Sequence, residues 1–231
     1  MRKARCPTSH WRKFLTLADT RNTRSGHIFV MGCGPSLIDQ RALMPVVGEG
    51  DTFCCNRMFL WDDLCFTPTF YACNARSIFR GLAFVDSPSQ IAKFLLFQRN
   101  KVDDESFYNF IDGWIPAQKW GDAPLLNGAL FQSGASIAFI MVQLAVWLGY
   151  TQISLLGVDH KGVGHCFDPD ATKSAGFVTQ RDEKVLPRWA NLLEKCDDKG
   201  IDLIDCTPDG YLSEKGVLAY VPLEEILHGI S

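Results

Sequence analysis

The sequence predicts an α/β protein: a Rossmann-like, open and mostly parallel sheet with helices on both faces and a small insertion or lid. Three observations carry this expectation. First, the apolar run 28–31 stops at Gly32-Cys33-Gly34-Pro35-Ser36, and a helical pattern follows with Leu37, Leu43 and Met44 inward. Strand, glycine turn and helix form the first unit of such a sheet. Second, further strand-like runs stand at 51–55, 69–73, 92–97, 151–156 and 201–204, spaced by turns or helical patterns. Third, the segment 137–148 is apolar except for Gln143. A helix apolar nearly all round is a central one, and this one is too short to span a membrane.

Residues 1–26 read as a basic arm and 27–231 as a single nucleotide-binding domain, long enough to bury a large core. Residues 1–27 hold seven Lys or Arg and one acid, a net charge of +6, whereas the rest is net −9. The arm offers peripheral contact with an anionic membrane face or with the acidic body, or it is a solvated terminus. It lacks aromatic interleaving, so no nucleic-acid partner is expected. No apolar stretch follows the basic start as in a secretory signal. Nine cysteines are scattered without a C-x-x-C pair. That argues against a zinc ribbon and for a reducing cytoplasm with most thiols buried, the protein lying free or peripheral at the inner membrane face.

The glycine turn comes next. Gly32 and Gly34 let backbone approach a ligand without a Cβ clash. Ser36 and Asp39 have the spacing of a capping box, so the expected helix would turn free N–H groups toward an anion such as a phosphate. Without a ligand the same residues make a tight strand-to-helix connection. The strands 51–55 and 69–73 end at Asn56-Arg57 and at Asn74. An Asn at a strand's carboxyl edge can donate and accept to a base or ribose, or cap a turn. Residues 75–84 read as helix. Residues 100–128, with Trp114, Trp120 and several turn signals, read as an insertion or lid whose aromatics pack or grip a sugar.

Ser133 is the expected N-cap of the central helix, with Gly134 keeping its first turn small and Gly149 as its C-cap. The strand 151–156 then delivers Gly157-Val158-Asp159-His160 to its end. The loop 161–170 carries Lys161, Gly162, Gly164 and His165, and 171–180 reads as exposed loop. A capping box at 179–182 would open a helix running to Lys199, with Pro187 either kinking it or marking its true start. A short helix at 222–227 closes the chain.

Gly32-Cys-Gly-Pro-Ser-Leu37, Cys55-Asn-Arg57, Phe70-Tyr-Ala-Cys-Asn74, Ser133-Gly134 before an apolar helix, Leu148-Gly-Tyr150 and Leu156-Gly-Val-Asp159 occur in one order. Together they resemble the bacterial CMP-sialic-acid-dependent sialyltransferases that decorate lipooligosaccharide. They also resemble the broader glycosyltransferase-like and 6-hydroxymethylpterin pyrophosphokinase-like superfamily. The similarity runs over about residues 27–212. It implies a Rossmann-like fold, a nucleotide-sugar donor, a glycan or lipid-linked glycan acceptor, and no metal. By position it implies donor contacts at Gly32, Cys33, Gly34, Pro35, Ser36, Asn56, Arg57, Asn74, Ser133, Gly134 and Lys161. Three departures mark this chain: Cys33 stands where the family has Asn, two phosphate-binding tyrosines are replaced near Lys161 and at His165, and no His lies between His165 and His228.

A transferase without metal needs a base for the acceptor hydroxyl and a cation or acid for the leaving phosphate. His165 is expected as base or phosphate acid, with His160 as the other imidazole in reach, Asp159 orienting one of them, and Lys161 on the phosphate. The alternatives are an Mg²⁺-dependent pyrophosphokinase acting on a pterin-like alcohol, with Asp159, Asp168 and Asp170 as carboxylates, and a nucleotide-binding module without catalysis.

Overall fold

The computed structural model describes residues 21–73, 92–95, 107–109, 136–172 and 185–230. Seven strands form one sheet: β1 (His27–Met31), β2 (Asp51–Cys55), β3 (Phe70–Cys73), β4 (Ala92–Leu95), β5 (Phe107–Asn109), β6 (Gln152–Leu156) and β9 (Asp202–Asp205). Their order is β5-β4-β3-β2-β1-β6-β9, and every neighbouring pair is parallel. Ile28 stands opposite Asp51 on one side and Ile153 on the other. A two-stranded antiparallel hairpin, β7 (Val163–His165) and β8 (Asp168–Thr172), stands apart from the sheet.

The central strands are unbroken apolar runs because both of their faces are covered. Successive side chains leave a strand on opposite sides. Ile28 and Val30 therefore face one layer together with Phe53, Phe70, Ile153 and Leu155. Phe29 and Met31 face the other with Cys54, Tyr71 and Leu156. The first layer is covered by helices α2 (Ile137–Leu148) and α3 (Leu186–Asp197). The second is covered by the short turns after β1 and β2, by α1 (Met44–Val47) and by the C-terminal helix α5 (Leu223–Ile230). One further helical turn, α4 (Tyr211–Glu214), lies between β9 and α5.

Helix α2 is buried nearly all round. Its one polar side chain, Gln143, is fully buried and donates to the Phe139 carbonyl at 3.1 Å. The N-cap is Ser136, whose Oγ accepts from Phe139 N; the expected cap Ser133 is one turn too early. Gly149 closes α2 with φ of 109°, the left-handed conformation that glycine adopts at least cost. Three other expectations shift. Pro187 sits in the first turn of α3 and marks its start, and the capping box expected at 179–182 lies outside the described residues. Part of the stretch read as exposed loop at 171–180 belongs to β8, and part of the expected insertion, Phe107–Asn109, is an edge strand. The helix expected at 75–84 and the rest of 100–128 lie outside the described residues.

The end of the basic arm is anchored. Asn22 N and Arg24 N donate to the carbonyls of Trp147 and Leu148 at 3.0 and 2.8 Å. The Arg21 guanidinium lies over Trp147 and that of Arg24 over Phe70, at 5.3 and 5.4 Å from the ring centres. Residues 21–26 are thus tethered to the body by these contacts while remaining exposed. No helix among the described residues is long and apolar enough to cross a membrane.

Candidate functional site

Strand order fixes where a ligand crevice opens. From β1 the chain winds outward through β2 to β5, then returns to add β6 on β1's other side. The loops after β1 and β6 are therefore neighbours at the carboxyl edge of the sheet, the usual ligand position of an open α/β sheet. Those loops are Gly32–Ser36 and Gly157–His160, the two stretches singled out by the sequence.

They interlock. Gly32 N donates to Leu156 O and Gly34 N to Gly157 O, both at 2.8 Å. Ser36 N and Ser36 Oγ donate to the two carboxylate oxygens of Asp159, at 3.2 and 2.8 Å. A Cβ on Gly34 would overlap the Asp159 carboxylate and lie 2.6 Å from Gly157 O. Glycine at 34 is therefore dictated by close approach within the chain. The expected capping box does not form. Pro35–Ile38 is a single 3₁₀ turn with Gly34 as N-cap and no side-chain cap, and Asp39 follows it in a helical conformation. Proline early in the turn fixes its backbone, which places Ser36 inside rather than at the cap. The anion facing this turn is Asp159 itself. Burial pushes the Asp159 pKa up from the ordinary carboxylate value; the bonds from Ser36 and the charge of Lys161 pull it down.

The other expected residues gather around this clamp. His160 follows Asp159 with φ of 52° and presents its ring edge-on to buried Trp189, centroids 6.0 Å apart. Lys161 forms an ion pair with Glu214 at 3.3 Å, both side chains well exposed. Tyr211 N donates to Asp159 O at 3.2 Å, so α4 holds this loop from behind. Cys166 N donates to Cys33 O at 3.0 Å, which docks the β7–β8 hairpin onto the glycine turn. His165 is next to that contact, half-buried, its ring stacked on Phe167 at 5.0 Å. Gly164 lets the hairpin close: a Cβ there would meet the Pro169 backbone, with Pro169 Cα at 2.7 Å.

Asn56 lies at the carboxyl edge of β2 with φ of 48°, a left-handed conformation that Asn tolerates better than most residues. Its N donates to Ala72 O and its carbonyl accepts from Tyr71 Oη, at 2.8 and 3.0 Å. Backbone geometry thus gives one sufficient reason for Asn here. Arg57 is exposed beside it. Asn74, Ser133 and Gly134 lie outside the described residues. Asp168 and Asp170 lie exposed on β8, and Asp159 is bonded to Ser36. Among the described residues no group of three or more His, Cys, Asp or Glu is arranged to hold a metal.

Two features of the site have no sequence signal. The Ser36–Asp159 pair joins residues 123 positions apart. A set of sulfur atoms lies under the turn: Cys33 Sγ is 3.9 Å from Cys55 Sγ, Cys54 Sγ is 3.7 Å from Met31 Sδ, and Cys166 Sγ is 3.9 Å from Met58 Sδ.

No protein-family model and no curated protein matches the chain. Solved structures do resemble it, among them two of the sialyltransferase CstII from Campylobacter jejuni. The complex with cytidine-5'-monophosphate matches with a TM-score of 0.51 and 15% identity, over 85% of each chain. The complex with CMP-3FNeuAc matches with a TM-score of 0.52 and 13% identity, over 85% of this chain and 86% of that one. The shared feature at such low identity is the architecture: this chain has an open α/β fold similar to that of a sialyltransferase.

Proposed function

We propose that the protein is a glycosyltransferase that takes a sugar from a nucleotide-sugar donor, CMP-linked by preference, and passes it to a glycan or lipid-linked glycan. The observation that carries this reading is the meeting of three segments at the β1/β6 crevice: the glycine turn, the Asp159–Lys161 loop and the hairpin bearing His165. The likeness in fold to a sialyltransferase that binds CMP supports the choice of nucleotide.

In this reading the acceptor hydroxyl attacks the anomeric carbon of the donor. The bond from that carbon to the phosphate oxygen breaks, and the nucleotide leaves with the electron pair. His165 takes the hydroxyl proton as general base. Lys161 exchanges Glu214 for the leaving phosphate, an exchange favoured by the low strength of an exposed ion pair. Asp159 holds Ser36 and so fixes the turn against which the nucleotide sits. Asn56 and Arg57 flank the nucleotide from the edge of β2, and Asn74, Ser133 and Gly134 complete its contacts. No metal takes part.

Thermal shift with CMP, UDP, GDP and ATP, each with and without Mg²⁺, tests the donor. A metal-independent shift by a cytidine or uridine nucleotide is expected; a shift only by ATP with Mg²⁺ overturns the reading in favour of pyrophosphoryl transfer. With a donor in hand, its hydrolysis without acceptor reports turnover. His165→Ala should lower that rate about 10²–10⁴-fold, the usual share of general acid–base catalysis. Full activity in the His160→Ala/His165→Ala double variant would remove both histidines from the mechanism.

A further inference from the structure

We infer that Cys33 and Cys55 are a redox pair, closed by a hydroperoxide into a reversible disulfide that staples the glycine turn to the end of β2. The inference stands on the thiols and not on the nucleotide reading. The two sulfur atoms are 3.9 Å apart. Each thiol lies 3.4 Å from a main-chain carbonyl of the neighbouring strand end, Cys33 Sγ from Cys55 O and Cys55 Sγ from Met31 O. Cys33 lies in the turn just past β1 and Cys55 ends β2, the strand paired with β1, and a disulfide spans a Cα spacing of about 4.4–6.8 Å. Side-chain rotation and a small shift of the turn are then enough to bring the sulfurs to bonding distance.

Exposure makes the pair selective. Cys33 is half-buried, so an oxidant reaches it, while Cys55 is 1% exposed and is presented to Cys33. The neighbouring thiols of Cys54 and Cys166 are directed instead at Met31 Sδ and Met58 Sδ, at 3.7 and 3.9 Å, so proximity singles out Cys55 as the partner of Cys33. The chemistry balances. The Cys33 sulfur attacks the peroxide, the O–O bond breaks, and Cys33 becomes a sulfenic acid as the first water leaves. The Cys55 sulfur then attacks the Cys33 sulfur, the S–O bond breaks, and the departing hydroxide takes the Cys55 proton as a second water. Two thiols are oxidised and one hydroperoxide is reduced.

The staple changes the turn. Drawing Cys33 Sγ toward β2 pulls on a residue whose carbonyl holds Cys166 N, the bond that docks the hairpin. The full chain treated with stoichiometric hydrogen peroxide, alkylated and mapped by mass spectrometry should yield a peptide pair linked through Cys33 and Cys55, reversed by dithiothreitol. Cys55→Ser should stop at a dimedone-reactive sulfenic acid on Cys33. Cys65→Ser, which removes an exposed cysteine, should leave the link unchanged. Hydrogen exchange at the Cys166 amide should speed up on oxidation and recover on reduction. A Cys33 linked to Cys65 or Cys166, a Cys33 overoxidised with Cys55 still reduced, or unchanged exchange at Cys166 would overturn the inference.

Discussion

At the scale of single residues, Asp159 shows how a ligand-like turn is satisfied from within. Ser36 is only 7% exposed, so without an acceptor its hydroxyl would be a buried orphan. Asp159→Ala should cost ~1–3 kcal/mol in urea unfolding, the range for leaving a buried polar group unpaired. Asp159→Asn keeps one acceptor oxygen and should cost less. His27 acts on the acid side of the stability profile. Burial lowers its pKa from 6.5 to about 4, and its ring pairs with Ser154 Oγ at 2.9 Å. As the pH falls from 6.5 toward 4 the unfolded chain binds a proton that the folded chain refuses, so stability is lost through that window. Asp159 and Asp205 have raised pKa values from burial, and their protonation favours the folded state as the pH falls. His27→Gln removes only the first effect. Its midpoint of urea unfolding should fall less than that of the wild type between pH 6.5 and about 4; parallel profiles would contradict this account.

At the scale of elements, legibility followed from how much each element depends on its own residues. The buried strands could be read because both faces need apolar side chains, and helix α2 because its apolar run has no polar face. Its start was misplaced because 133–136 contains two serines three residues apart, and sequence alone does not show where the backbone turns helical. At Ser136 the backbone is extended, φ −141° and ψ 159°, immediately before the helix. Ser136→Ala should lower stability by ~0.5–1 kcal/mol, the lower part of the capping range, since the bond to Phe139 N is a long 3.4 Å. The β7–β8 hairpin read as loop because its strands are short, carry Gly and Pro, and show no apolar alternation. Its place is set instead by contacts distant in sequence, through Cys166 to Cys33 and Met58.

At the scale of the molecule, the fold class was legible and the strand order was not. A run such as Gln152–Leu156 states that it is buried, but not that it pairs with β1 across 125 residues. The same limit hid the Ser36–Asp159 clamp, which exists only once β1 and β6 are neighbours. It also hid the docking of residues 21–26, which read as arm by charge while their backbone closes the end of α2. A chain starting at residue 27 lacks the backbone bonds of Asn22 and Arg24 and both stacked guanidinium groups. It should therefore melt at a lower temperature than a chain starting at residue 21; equal melting would show that this docking adds nothing to stability. The sheet order has a further consequence during synthesis on the ribosome. β1 is made early, but its partner on one side appears only 125 residues later. At about 5–20 residues per second, that edge waits about 6–25 s for its strand. For that interval the nascent chain presents an apolar, unpaired edge, a template for wrong pairing with another chain. Chaperone demand should therefore peak before β6 leaves the exit tunnel.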